Sequence, residues 1–213
     1  MALNNYADLQ TAIQAWADRS DSQYVAAVPD FIALFEANAN AELTLRTRFN
    51  TAKTTLTLTS ASPLVALPSD FLEAKTLINT SVVPVQVIPI YTATSLYTAI
   101  TTPATSGPPK GVTVTGSNFE FAPVSDTTYS IDCYYYQVIT SLSSGSPTNW
   151  LLTHFPNLYL FGALVASEAF LGSDPRMQTW GELYDNMIQK LDGSNERGQY
   201  GGSPLRVQVD NVV

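Results

Sequence analysis

The sequence predicts an α+β fold: a helical bundle built from N- and C-terminal helices, a β-rich insertion between them, and an extended C-terminal arm. Three observations predict it. Apolar residues recur at helical spacing up to about residue 50, alternate with period two through much of the middle, and return to helical spacing after Asn149. The middle is rich in Thr, Val and Tyr and is punctuated by Pro and Gly, as strands and turns are. After the last helix a Gly/Ser-rich spacer ends in a short alternating segment. The organisation is therefore 1–50 with 149–192 as the helical domain, 51–148 as the β-rich insertion, and 193–213 as the arm.

The first helix is read over Tyr6 to Ala17, with Tyr6, Leu9, Ile13 and Trp16 on one face and Asn4 or Asn5 as its cap. The second is read from Pro29, a good first-turn residue, to about Arg48. Phe31, Leu34, Phe35, Ala41 and Leu45 form its apolar side, and Arg46 and Arg48 suit the negative end of its dipole. Thr54–Ser60 alternates as a strand, and Ser62–Ile78 reads as two strands about a turn at Pro68-Ser69-Asp70. Val82–Ile90 carries Pro84 and Pro89, which restrict it to a sheet edge. Thr92–Ile100 reads as a short helix, and 103–111 as a loop. Val112–Thr115 and Phe119–Ala122 flank a Gly116-Ser117-Asn118 turn as a hairpin. Tyr129–Thr140 is the strongest strand, with Tyr129, Ile131, Cys133 and Tyr135 on one face.

Pro156 opens a helix, read to Leu171, that is apolar on nearly every side. Such a helix needs cover on several sides, from its own chain or from other copies. Gly162, Ala163, Ala166 and Ser167 would let another helix approach closely. A further helix starts at Asp174-Pro175, buries Met177, Trp180, Tyr184, Met187 and Leu191, and stops at Asp192-Gly193. The closing residues Leu205, Arg206, Val207, Gln208 and Val209 begin a strand-like stretch that is unstable alone and needs an edge to join.

Composition narrows the function. Of 213 residues, 45% are apolar, enough for a real core, while only 13% are charged, against about a quarter in ordinary domains. That fits a surface partly covered by neighbours or a Thr/Ser-rich β surface. The net charge is −8 with no Lys/Arg cluster, which argues against tight groove binding of nucleic acid. One cysteine, Cys133, rules out a disulfide within the chain, and with one histidine, His154, leaves no ligand set for zinc. The first residues have no basic segment followed by a long apolar one, so no secretory signal is expected. The apolar helix is shorter than the ~20 residues of a membrane span and contains Glu168, so no membrane is expected as a partner.

Candidate chemistry is sparse. Glu168 inside the apolar helix reads as a buried ion pair with Arg46 or Arg48, or as an interface pair, in preference to a catalytic carboxylate. Cys133 sits mid-strand, not where thiolates are activated, so Cys133 and His154 do not read as a nucleophile and base. Tyr134, Tyr135 and Tyr136 alternate between sheet faces and cannot form one stacking platform. Phosphate loops, nucleophile elbows and calcium loops are not found. No catalytic residue, metal or cofactor is expected.

Taken in order, Tyr6-Ala-Asp-Leu-Gln-Thr-Ala-Ile-Gln-Ala-Trp16, Val28-Pro-Asp-Phe-Ile-Ala-Leu-Phe-Glu-Ala37, Leu45-Arg-Thr-Arg48, Leu67-Pro-Ser-Asp-Phe-Leu-Glu73, Asn149-Trp-Leu-Leu152 with Pro156-Asn-Leu-Tyr-Leu-Phe-Gly-Ala-Leu164, and Asp174-Pro175 with Trp180 and Tyr184 form a series. This series resembles the SU10-type head-to-tail adaptors of short-tailed bacteriophages, over roughly residues 6–191. The resemblance implies a structural virion protein at the junction of capsid and tail, made in the host cytoplasm. It implies a dodecameric ring beneath the portal through which DNA passes without sequence-specific binding. It also implies a portal-binding arm, here Leu205 to Val209, a β part that meets tail or nozzle proteins, and no active site. Gly162, Ala163, Ala166, Glu168, Arg46 and Arg48 are the residues expected at subunit or helix packing. An acidic channel wall would repel phosphate and let DNA slide. The alternatives are a neck or tail-completion protein at another level of the tail, a cell-wall hydrolase using paired carboxylates, and a carbohydrate-binding β module.

Overall fold

The computed structural model describes residues 3–41, 46–100, 106–172 and 174–200, without the side chains of Ala99 and 192–200. The protein mixes helix and sheet and is of the α+β class. The chain forms two compact units, one of Met1–Phe49 with Ile139–Val213, the other of Asn50–Val138.

In the first unit, α1 spans Tyr6–Ala17. The Asn5 side chain caps it by accepting the Asp8 N–H at 3.0 Å. Leu9, Ala12, Ile13 and Ala17 are its buried residues. Trp16 differs from expectation: it is 46% exposed and only sets its ring against Phe161, 5.4 Å away and edge-on.

α2 spans Ser22–Ala41, seven residues earlier than the proline suggested. Its first turn is capped by Asp21, whose Oδ1 accepts the Tyr24 N–H at 2.9 Å. Pro29 therefore lies inside the helix. The bond it cannot donate would have gone to the carbonyl of Val25, an exposed residue that water can reach. The helix also ends short of the arginines. Residues 42–45, including Leu45, lie outside the described residues, and Arg48–Asn50 form a short 3-10 turn.

Asn149 caps α4, Trp150–His154, through its Oδ1 and the Leu152 N–H at 2.9 Å. α5 follows at Pro156–Ala166 and α6 at Glu168–Leu171. The expected single helix is broken at Ser167, which is fully buried and turns its hydroxyl back onto the Leu164 carbonyl at 2.6 Å. A serine hydroxyl that competes for a helix carbonyl bends the helix.

α7 spans Met177–Tyr200, so Asp192-Gly193 does not stop it. A glycine lowers helix propensity by about 1 kcal/mol but does not impose an end; the next proline is Pro204. The spacer expected from residue 193 is helical as far as Tyr200. The remaining arm, with Leu205 to Val209, lies outside the described residues.

α5 is the centre of this unit. Every residue from Leu158 to Leu164 is buried, which explains why the sequence is apolar on all sides. Its cover comes from its own chain: Trp16 of α1 against Phe161, Phe35 of α2 against Tyr159 at 4.9 Å, and Trp180 and Leu191 of α7 in the same core cluster.

The second unit holds β1 (Thr51–Leu58), β2 (Leu64–Ala66), β3 (Phe71–Asn79), β4 (Gln86–Ile88), α3 (Ala93–Ala99), β5 (Gly111–Thr115), β6 (Asn118–Ala122) and β7 (Tyr129–Gln137). A four-stranded antiparallel sheet has the order β1-β7-β3-β4, and a three-stranded one the order β2-β6-β5. β4, flanked by Pro84 and Pro89, lies at a sheet edge, where a strand can do without some of its N–H donors. β5 and β6 are the expected hairpin, with Gly116 at φ +60° in its turn. β7 is central in its sheet and alternates strictly: Tyr129, Ile131, Cys133 and Tyr135 are buried, while Ser130, Asp132, Tyr134 and Tyr136 are not. The core of this unit joins those residues to Leu56, Leu58, Leu77, Phe119 and Phe121.

Candidate functional site

Among the described residues of the first unit the buried carboxyl group is Glu36, not Glu168. Glu36 is 3% exposed on α2, four residues after Ile32 and eight after Val28, so it rides the same buried stripe. Its Oε1 accepts two hydrogen bonds, from the Tyr159 hydroxyl of α5 and from the Leu142 N–H at 2.9 Å. Asn149 completes the group. Its Nδ2 donates to the Tyr159 Oη at 2.9 Å and to the Thr140 carbonyl at 2.7 Å, while its Oδ1 caps α4. One turn further along α2, the Asn40 Oδ1 accepts the Ile139 N–H at 2.8 Å. Burial, and then the bond to Glu36, push the Tyr159 phenol far above its ordinary range, so it stays a hydrogen-bond donor. The arrangement fastens backbone. Two side chains of α2 hold the segment 139–142, and Asn149 ties that segment to α4 and α5.

Glu168 is exposed at the start of α6, so the expectation of a buried ion pair is corrected. The break at Ser167 rotates it away from the core, and a carboxylate in a first helical turn is suited to solvent and to the helix dipole. Arg46 donates from Nη1 to the Asn40 carbonyl at 3.2 Å, where a cation meets the last turn of α2. Arg48 is exposed, with its guanidinium over the Phe49 ring at 4.8 Å.

Gly162 and Ala163 are buried, and Ala166 is half-buried. Gly162 has a specific steric reason. A Cβ there would stand 2.2 Å from ring atoms of Phe35, so only glycine admits that ring. An open groove of about 690 Å³ adjoins this point and is lined by Phe35, Asn38, Gly162, Val165, Ala166 and Tyr184. Among the described residues on its walls, the Tyr184 phenol is the one titratable group.

The remaining candidates are spent on structure. Cys133 is buried in the second unit, and burial pushes its thiol up to about 11, far from an activated thiolate. His154 belongs to the first unit and stacks on Phe49 with ring centroids 4.4 Å apart. Tyr135 is buried and donates to the Asp70 Oδ1 at 2.8 Å. Tyr134 and Tyr136 face the other way, with Lys53 at 5.5 Å from one ring and Lys75 at 5.4 Å from the other. Arg176 pairs with Asp174 and also donates to the Trp16 and Ala17 carbonyls at 3.1 and 2.9 Å, satisfying the end of α1. Among the described residues no group of three or more His, Cys, Asp or Glu could hold a metal ion, and no helix is long and apolar enough to cross a membrane.

These features define an α+β protein in which buried polar side chains such as Glu36 and Asn149 hold backbone in place. The chain belongs to the SU10 adaptor protein family, whose model matches residues 4–208. Membership makes it a phage adaptor, a structural component of the virion. No curated protein matches it in sequence.

Proposed function

We propose that the protein is a head-to-tail adaptor whose copies form a ring, a dodecamer, between the portal and the tail or nozzle, at the capsid–tail junction. The family match carries this reading, because it spans both compact units and continues into the arm. DNA passes through the lumen without sequence-specific binding. A net charge of −8 supports passage without adhesion, since phosphates are repelled by an acidic wall. The protein is not an enzyme and needs no cofactor. The arm, with Leu205, Arg206, Val207, Gln208 and Val209, meets the portal by adding to an open edge or groove there. Gly162, Ala163, Ala166, Glu168, Arg46 and Arg48 act in helix packing or at contacts between copies.

The arm's role is tested with immobilised portal protein and two forms of the chain, one full-length and one ending at Tyr200. Retention of the full-length form and loss of the shortened one is the expected result. Equal retention of both assigns the contact to the folded units, and retention of neither removes the portal from the account.

A further inference from the structure

An open sheet edge is a template for another strand, and proteins usually blunt or cover such edges. Of the four sheet edges among the described residues, three are blunted or covered. β4 and β2 are three residues each and lie between prolines, Pro84 and Pro89 for one, Pro63 and Pro68 for the other. β5 is met on its outer side by the chain that follows β4: the Val112 N–H donates to the Pro89 carbonyl at 3.1 Å, and the Tyr91 N–H to the Val112 carbonyl at 2.8 Å. β1 is the exception. It is eight residues long, contains no proline or glycine, and keeps an unbroken register with β7. Its other side is the outer edge of the four-stranded sheet, where β2 passes near without a backbone bond to it. Among the described residues nothing bonds the backbone of 53–57 from that side.

We infer that this edge takes the arm of a second copy as an added antiparallel strand. The arm's sequence fits it residue by residue. With Asp210 opposite Lys53, Val209 meets Thr54, Gln208 meets Thr55, Val207 meets Leu56 and Arg206 meets Thr57. Val207 and Val209 then lie on the face where Leu56 is buried, and Gln208 and Arg206 lie beside the exposed Thr55 and Thr57. Lys53 is the one charged residue of β1, and Asp210 the one acidic side chain after Tyr200, so their pairing pins the register. A slip of one residue would turn the valines to solvent, and a slip of two would lose the charge pair. Lys53 already meets Asp132 at 2.8 Å, yet its side chain is 49% exposed and has room for a second carboxylate. Residues 201–213 can span at most about 45 Å, enough to reach a neighbouring copy. Each copy has one such strand to give and one such edge to offer, the head-to-tail arrangement that closes into rings. An arm on β1 is not free for the portal, so this contact belongs to the protein before it meets the portal.

Amide hydrogen exchange tests this on the full-length chain, with the form ending at Tyr200 as reference and no portal present. In concentrated full-length protein, the amides of residues 53–57 that point away from β7 are expected to exchange at least about tenfold slower than in the shortened form, the effect of gaining one backbone hydrogen bond. Dilution returns them to the rate of the shortened form, because the arm comes from another copy. Asp210→Lys sets like charges opposite each other and removes the protection, and Lys53→Glu combined with Asp210→Lys restores it. Equal exchange in the full-length and shortened proteins overturns the contact. Protection that survives dilution overturns the second copy and assigns the arm to its own chain. Full protection in Asp210→Lys overturns the pairing of Asp210 with Lys53. With no portal in the assay, each of these failures leaves the portal contact standing.

Discussion

Replacing Gly162 with alanine isolates the closest contact in the helical unit. Ordinary van der Waals contact begins at about 3.4 Å, and the new Cβ would lie 2.2 Å from two ring atoms of Phe35 and 3.0 Å from a third. The ring must move by about 1 Å or more to make room. It cannot move freely, because Phe35 sits edge-on to Tyr159 at 4.9 Å and to Tyr184 at 6.2 Å. Overpacking of this kind costs about 1–3 kcal/mol. Alanine returns about 1 kcal/mol of helix propensity. The difference is about 0–2 kcal/mol, and the prediction is its upper half, a loss of about 1–2 kcal/mol, because the overlap is with two atoms of a rigid ring and not with a flexible tip. For a chain of this size that lowers the melting temperature of the helical unit by about 2–8 °C. The assay is thermal unfolding followed by far-ultraviolet circular dichroism. Gly181→Ala is the control, since nothing lies within 4 Å of a Cβ on that glycine of α7; it is predicted to stabilise by up to about 1 kcal/mol. A Gly162→Ala protein as stable as its parent, or gaining as much as Gly181→Ala, would refute the steric account of α5.

Tyr159→Phe removes one of the two donors to Glu36 and one partner of Asn149. It is predicted to cost about 1–3 kcal/mol, read as a lower urea midpoint at an unchanged slope. Asp174 is held at about 2, first by the Arg176 side chain and then by the Arg176 N–H. A carboxyl depressed in the folded state adds stability that is present above its ordinary pKa of about 4. That stability is lost as pH falls from there through about 2. A carbon-detected titration of the Asp174 carboxyl is therefore expected to show its midpoint near 2, and Arg176→Met is expected to return the midpoint towards 4. Cys133, with its thiol pushed up to about 11 by burial, is predicted to resist a thiol reagent at pH 8 in the native protein and to react at once after unfolding.

Where local pattern decides the structure, the sequence was readable. α1, the β5–β6 hairpin, the edge placement of β4 and the alternation of β7 follow from spacing and turn residues alone, and the structure settles the cap of α1 on Asn5 between the two asparagines the sequence offers. The errors arise where two local signals compete or where a partner is distant in sequence. Pro29 looked like a start because proline favours first turns, yet Asp21 caps the helix two turns earlier and the exposed Val25 carbonyl can do without the proline's N–H. Gly193 has the residue type of a stop, but a glycine alone only lowers helix propensity and α7 runs through it. Glu168 has apolar neighbours in sequence, yet the break at Ser167 takes it out of the core. Glu36 carried the better signal, its register with Val28 and Ile32, but its partners Tyr159 and Leu142 lie more than a hundred residues away. No spacing rule finds such a group; only the packed fold brings it together.

The measurement that bears most directly on the whole account is the mass, by light scattering, of full-length protein mixed with its purified portal. The account predicts one complex heavier than the portal by several copies of this chain, in a fixed whole-number ratio that excess protein does not change. A portal peak of unaltered mass, with the chain eluting separately at every ratio, would contradict it.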